Sequence, residues 1–249
     1  MSDFNRGYPR TAPIGAADMA VDAGLRAFMV GVYNKVGLGL VLSAAMAYLT
    51  GAYPPVRDLM FHVRPNGAIG LTGLGTVVAF APIAILLFTG FVMRSVTPRS
   101  SGIVYWAIVA LIGASLGTVV LLYSGVSIGT TFLVTAAAFG ALSLVGYTTK
   151  RNLDALGSFL IMGLVGLIIA MVVNIFLASS MMAFIINAIG VLIFAGLIAY
   201  DTQKLKMTYY QIGGNEQALS VATNYGALNL YLDFINLFMM LLRLMGNRR

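Results

Sequence analysis

The stretch GIVYWAIVALIGASLGTVVLLYSGVSIGTTFLVTAAAFGALSLVGYTT, residues 102–149, decides the fold because it has no charged residue over its whole length. As one helix it would reach about 72 Å at ~1.5 Å per residue, against a hydrocarbon core about 30 Å thick. The segment Tyr123-Ser124-Gly125-Val126-Ser127 near its middle is typical of a turn. The stretch therefore predicts two membrane-spanning helices joined at that break.

The rest of the chain repeats this pattern. Of the 249 residues, 59% are hydrophobic and 9% are charged, whereas soluble domains carry roughly 25% charged residues. Lipid leaves backbone groups no partner outside their own segment, so each crossing is predicted to be a helix. The sequence thus predicts an all-α membrane protein, a bundle of seven transmembrane helices at 36–53, 70–93, 102–149 (two spans), 155–200 (two spans, broken at 178–181) and 217–242.

The cations test this count of spans. With the N-terminus inside, ten lysines and arginines fall in inside segments and two, Arg57 and Arg64, fall in outside loops. This bias follows the positive-inside rule and predicts a cytoplasmic N-terminus. The C-terminal tail does not follow this rule, because seven crossings place Arg243, Arg248 and Arg249 outside. A re-entrant last segment would return them to the inside, but seven full crossings are the preferred interpretation.

Three parts of the chain are distinguished. Residues 1–24 are a polar N-terminal segment expected to be flexible, 25–246 form the transmembrane domain, and 247–249 are a short basic tail. Residues 18–33 have apolar side chains at helical spacing and charges on the opposite face, which suits a helix on the inner membrane surface or a plain extension of the first span. Steps of small residues at 113–117 and 163–166 predict close helix packing.

Composition argues against several function classes. The absence of cysteine excludes disulfides, thiolate metal sites and cysteine nucleophiles. The only histidine, His62, lies in a predicted outer loop, so it supports neither a zinc site nor an intramembrane protease built on Ser115. No enzymatic activity is expected. The net charge of +7 is spread singly or in pairs beside apolar spans, which indicates topology rather than a nucleic-acid partner.

Two aspartates, Asp201 and Asp233, are the only carboxylates within the long apolar stretches. An ionised side chain at the bilayer centre costs about 2.5–3.5 kcal/mol, so such residues usually face a bundle interior and mark an ion or proton path. Counted along their helices, both lie at similar depths near the inner side. Two carboxyl groups in contact share one proton and titrate in two steps.

These properties lead to the hypothesis of a pH-sensitive latch at the inner end of a pore. The aspartate pair would hold the sixth span against the seventh, and Arg94, at the end of the second span, would compete for the pair. The alternative is a static buried ion pair that only fixes helix packing.

Other polar side chains share the faces of the two aspartates. Spacings of four, four and three residues place one polar stripe on the seventh span, which is therefore predicted to stand at the bundle centre. The residues predicted to line the pore or support it are Tyr225, Asn229 and Asn236 on the seventh span, Asn187 on the sixth and Asn174 on the fifth.

Two segments carry a resemblance to a known family. The sequences GLIAYDTQ at 196–203 and LNLYLDFINLF at 228–238 resemble the signature segments of the transmembrane Bax inhibitor motif family. The resemblance extends from about Leu25 to Gly246. It implies a seven-helix bundle with its last helix central, a pH-sensitive calcium leak and a role in stress survival. The compact chain resembles the bacterial members, so the bacterial inner membrane is the expected location.

The resemblance also implies roles for individual residues. Asp201 would pair with Asp233, and Arg94 would be the latch arginine. Calcium prefers six to eight oxygen ligands, which two carboxylates and a few amides do not supply. No resident cofactor is expected, and the pair would hold Ca²⁺ only weakly and transiently, as conduction requires. The alternative function is a non-conducting interaction protein that restrains a membrane-anchored AAA protease. The expected partners are the lipid bilayer, cations and, in that alternative, the protease.

Overall fold

The fold is known from a computed structural model that describes residues 14–63, 68–92 and 96–248. Helices make up nearly all of it, and one small hairpin lies between the first two spans. In chain order the elements are α1 (Ile14–Ala52), α2 (Pro54–Met60), β1 (Phe61–Val63), β2 (Ile69–Leu71), α3 (Gly73–Val92), α4 (Pro98–Ser115), α5 (Gly117–Leu122), α6 (Gly125–Thr148), α7 (Asp154–Leu177), α8 (Ser180–Ile212) and α9 (Glu216–Met245).

The helices confirm the predicted all-α membrane architecture. Six helical segments within the described residues are long and apolar enough to cross a bilayer, and the shorter apolar segment Gly73–Thr89 supplies the seventh. Both predicted breaks are correct: Ser124 caps the start of α6, and Ala178 adopts a left-handed conformation before α8. The antiparallel β1–β2 hairpin was not predicted, because strands of three residues are too short to show the alternation of apolar and polar residues that indicates a strand.

Helix α9 is the central helix, as predicted. It packs against α1, α4, α6 and α8, and it has the largest buried fraction among the six long spans. Large side chains that α9 contributes to the main hydrophobic core are fully or nearly fully buried, among them Leu230, Tyr231, Phe234 and Leu237. A helix surrounded in this way can present polar groups to several neighbours at once.

The first helix decides between the two interpretations of residues 18–33. Helix α1 runs without a break from Ile14 to Ala52, so it crosses the predicted domain boundary at residue 24. Leu25, Phe28 and Val32 are buried in the main core rather than available to a membrane surface. This favours the plain extension of the first span. The expected flexibility of residues 1–13 falls outside the described residues.

Small residues bring some helices close together. A side chain at Gly113 would place its Cβ 2.5 Å from Ser43 Cα, and one at Gly117 would come within 2.3 Å of Thr50 Oγ1. The predicted close packing at 113–117 is therefore confirmed. The prediction for 163–166 holds only at Gly163, which faces Ile193, because nothing lies within 4 Å of a Cβ at Gly166.

The tail packs against the end of the bundle where α5 meets α6. The Asn247 N–H donates to Ser127 Oγ at 3.0 Å, the Ser124 N–H donates to Asn247 O at 3.2 Å, and the Arg248 guanidinium lies 5.9 Å from the Tyr123 ring centre. Lys206 instead contacts Tyr147 at the other end of α6. Helix α9 therefore crosses the whole bundle, and its tail lies at the end opposite the lysines of α8.

This geometry predicts that the tail and the α6–α7 connection are accessible from opposite sides of the membrane. Because the chain has no cysteine, a cysteine inserted after Asn247 would be the only thiol. A membrane-impermeant maleimide should label it in intact spheroplasts. The matched control, Arg151→Cys, should be labelled only after permeabilisation. Labelling of both thiols from one side would contradict a full crossing by α9.

Candidate functional site: a carboxyl pair between two helices

Antiparallel packing of α8 and α9 brings the two intramembrane aspartates together. The Asp201 and Asp233 carboxyl groups lie within hydrogen-bonding reach of each other. Asp233 is only 6% exposed, whereas Asp201 is half-buried. The sequence places one aspartate on each of two successive spans, and the turn at 213–215 folds the second span back along the first. The pair thus arises from two neighbouring, oppositely directed helices.

A hydrogen bond between two carboxyl groups requires a proton, since two carboxylates offer only acceptors. The arrangement can therefore hold one proton between α8 and α9. The second oxygen of Asp233, Oδ2, is buried and lacks a hydrogen-bond partner among the described residues. Among the described residues, two further buried hydroxyl oxygens lack a partner: Thr202 Oγ1, next to Asp201 in sequence, and Ser143 Oγ on α6. Buried polar atoms without partners are uncommon in folded proteins.

Two charged residues bear on the pair, and the structure describes one of them. Arg94, the predicted latch, lies outside the described residues. Lys204, three residues after Asp201 and so near it on α8, interacts electrostatically with the Asp201 carboxyl. Its ammonium also lies 5.7 Å from the Tyr200 ring centre.

The polar stripe on α9 is buried only in part. Tyr225 and Asn236 are half-buried, and the Asn236 amide donates to Leu232 O of its own helix at 2.8 Å. Asn229, one turn before Asp233, is exposed. The expectation that the whole stripe faces the bundle interior is therefore wrong at Asn229. Helical spacing places residues on one face, but it does not tell how far neighbouring helices cover that face.

The remaining two predicted residues lie away from the pair. Asn187 precedes Asp201 by fourteen residues on α8, which corresponds to about 21 Å along the helix axis. Asn174 Oδ1 accepts a hydrogen bond from the Ser179 N–H at 3.1 Å, so this amide closes the α7–α8 connection. Both asparagines line a cavity of about 880 Å³ near the tail. The structure thus brings together Asp201 and Asp233 but separates them from these amides.

Sequence reasoning missed two polar networks in the core. The Lys35 ammonium on α1 donates to Asn224 Oδ1 on α9, and the Asn224 amide donates to Ser101 Oγ at 2.8 Å. Nearer the middle of α9, the Tyr231 and Ser43 hydroxyls lie 2.7 Å apart. Lone polar residues inside apolar spans were the available signal, since buried polar groups need partners. Which partner each finds depends on helix packing that periodicity does not specify.

Metal binding at the pair has limited support in the donor set. Within the described ranges, no group of three or more histidine, aspartate or glutamate side chains lies close enough to hold a metal ion. A hard cation between α8 and α9 would need backbone carbonyls and water to complete its six to eight oxygen ligands. The described side chains at the pair are therefore too few to form a tight cation site by themselves.

Fold and site together define a multi-pass helical membrane protein whose last two spans meet through a carboxyl pair. Residues 25–249 match the profile of the family described as Inhibitor of apoptosis-promoting Bax1. The chain belongs to this Bax inhibitor family. It is 59% identical over 249 residues to an uncharacterised protein of Caulobacter vibrioides, covering 100% of both chains. It is also 40% identical over 228 residues to the inner membrane protein YbhL of Escherichia coli, covering 91% of this chain and 94% of that protein.

Proposed function

We propose that this protein is a pH-sensitive cation leak, with Ca²⁺ as its expected ion, gated by the Asp201–Asp233 pair. The observation that carries the proposal is the close approach of these two carboxyl groups, one on α8 and one on α9, in the membrane-spanning region, where a shared proton would join the helices. The inner membrane, a cytoplasmic N-terminus and a role in stress survival belong to the same proposal. The relative YbhL is described as an inner membrane protein, which supports the location.

The direction of gating follows from the shared proton. While the pair holds a proton, its hydrogen bond keeps α8 and α9 together and the path closed. Loss of that proton leaves two like charges in contact in a poorly hydrated site, and they repel. Opening therefore releases a proton, so raising the pH favours the open state. Arg94, assigned as the latch by family resemblance, would interact with the carboxylates in one of the two states.

The small number of oxygen ligands at the carboxyl pair is consistent with a leak and not with a site that binds a cation tightly. A conducted ion must leave as readily as it enters, so a transient site formed by Asp201, Asp233, carbonyls and water is adequate. Asp201 is only half-buried, and Asn229, one turn from Asp233 toward the lysine end, is exposed, so an ion could reach the pair from that end. No catalytic activity and no resident cofactor are part of this proposal.

The competing proposal is a non-conducting protein that restrains a membrane-anchored AAA protease. Its expected contact surface, residues 18–33, contributes buried side chains to the bundle core in the described part of that segment. Those side chains are not free to contact a partner, so any contact by this segment is limited to its other face, where Arg26 and Val30 are exposed. The carboxyl pair would then serve only to fix helix packing.

Reconstitution of the purified protein alone separates the two proposals. Vesicles that contain the protein and a calcium indicator should take up Ca²⁺ faster than vesicles without protein (empty vesicles). If one proton controls opening, their rate of uptake should increase by about tenfold for each unit that the pH is raised near the transition. Monovalent cations, tested in parallel with a potassium indicator, report selectivity. Uptake equal to that of empty vesicles from pH 5 to 9 would exclude the leak and leave the interaction protein.

A further inference from the structure

A second site lies at the tail end of the bundle, remote from the carboxyl pair. There α5, α7, α8 and α9 surround a cavity of about 880 Å³, within the rough range of 300–1,000 Å³ typical of ligand sites. Arg243 and Arg248 line it together with Asn187. The Asp pair is about 21 Å away along α8. The cavity is therefore not explained by the proposed gating.

The described lining of this cavity carries only positive charge. Among the residues that the structure describes, it includes two guanidinium groups and no carboxylate side chain. Neither Arg243 nor Arg248 forms an ion pair within the described residues, where the one such pair is Arg57–Asp58. The backbone of Arg248 pairs with Tyr123 in a β-bridge, and its guanidinium lies over the Tyr123 ring. One of the two cations is thus held in place without an anionic side chain from the described part of the chain.

Asn187 provides the second, independent observation. Its side chain is only 7% exposed, it lines the cavity, and its Oδ1 has no hydrogen-bond partner among the described residues. A Cβ at Gly190 would contact Met240 of the antiparallel α9, so Asn187 and Arg243, each three residues further toward the tail end, lie at the same level. A buried amide thus faces the same space as a guanidinium.

The cavity also has an apolar, outward-facing wall. Ile175 on α7 and Phe184 on α8 line it, and they are 75% and 59% exposed. On membrane-spanning helices, such exposed apolar side chains face hydrocarbon. A ligand that enters from this side would carry acyl chains as well as an anionic group.

We propose that this cavity binds the phosphodiester headgroup of a phospholipid such as phosphatidylglycerol. Arg243 and Arg248 pair with the phosphate, for which the planar guanidinium is well suited. The Asn187 amide, which offers both a donor and an acceptor, binds the phosphate or a headgroup hydroxyl. The N-terminus of α8, whose Ser179 and Ser180 also line the cavity, adds a favourable dipole.

The test uses the full-length protein in a non-ionic detergent and three probes. Dioctanoyl phosphatidylglycerol, dioctanoylglycerol and inorganic phosphate are titrated while binding is followed by native mass spectrometry or by the unfolding temperature. The variants are Arg243→Gln/Arg248→Gln and Asn187→Val, and the matched control is Arg57→Gln, which removes a guanidinium outside the cavity. Unfolding temperatures without probe verify that each variant is folded.

Phosphatidylglycerol should bind the wild type and Arg57→Gln equally well. Binding should weaken by about tenfold for each cavity arginine removed and severalfold in Asn187→Val. Dioctanoylglycerol should not bind. If only inorganic phosphate binds, with the same dependence on the arginines, the cavity is an anion site whose ligand is free phosphate and not a lipid headgroup. Equal binding of phosphatidylglycerol to the double variant and the wild type, or equal binding of dioctanoylglycerol, would overturn the proposal.

Discussion

Asp201→Asn and Asp233→Asn are each expected to abolish the pH dependence of cation uptake by reconstituted vesicles. In either variant an asparagine amide donates to the remaining carboxyl group whatever the pH, so the hydrogen bond between α8 and α9 persists. No second negative charge forms when the pH rises, so the helices are not driven apart. Uptake should stay at the low, closed level between pH 5 and 9.

The wild type should behave differently because opening releases a proton. One proton lost on opening changes the ratio of open to closed protein by up to tenfold per pH unit, which is about 1.4 kcal/mol. We therefore expect wild-type uptake to rise by about one order of magnitude or more across this range. Uptake in each single variant should change by less than about twofold. The measurement is the initial rate of indicator fluorescence at matched protein-to-lipid ratios.

Asp154→Asn is the matched control for this experiment. It also removes one carboxyl group, but from an exposed position in the first turn of α7. This variant should retain the wild-type pH profile. Wild-type profiles in both Asp201→Asn and Asp233→Asn would contradict the latch and leave the pair with a purely structural role. Loss of pH dependence in the control alone would point to a different titrating group.

Sequence predicted the membrane spans well because bilayer thickness imposes a length that hydropathy displays directly. The uncharged stretch 102–149 had to fold back on itself, and the structure breaks it at Tyr123–Ser124 as expected. The start of the first helix was harder to place. Polar residues before the span give no hydropathy signal, although α1 begins at Ile14.

The carboxyl pair was predictable, but its surroundings were not. Only two carboxylates occur in long apolar stretches, and consecutive antiparallel helices are neighbours, so few arrangements were open to them. The exposure of Asn229 and the contact of Lys35 with Asn224 depend on which helices α9 meets and at what rotation. Helical periodicity shows which residues share one face of a helix, but it does not show which helix packs against that face.

A close approach of α6 to α8 lies beside the aspartate pair, and it predicts a large loss of stability in Gly146→Ala. A Cβ at Gly146 would lie 2.2 Å from the carbonyl oxygen of Ala199, two residues before Asp201. That atom belongs to the backbone and has no rotamer that would relieve the clash. Either α6 moves away from α8 or the local helix distorts. Overpacking of this kind typically costs about 1–3 kcal/mol, which for a chain of this length corresponds to a fall of roughly 2–12 °C in the unfolding temperature.

Gly140→Ala is the matched control, because it adds the same methyl group to the same helix. Nothing lies within 4 Å of a Cβ at Gly140, so alanine should be neutral or stabilising by up to about 1 kcal/mol through its higher helix propensity. Thermal unfolding of both variants in one detergent measures the difference. If Gly146→Ala unfolds at the wild-type temperature, the contact between α6 and the Ala199 carbonyl is looser than the structure shows. Since Ala199 lies next to the pair in α8, a destabilised but folded Gly146→Ala protein should also leak cations at a pH where the wild type is closed.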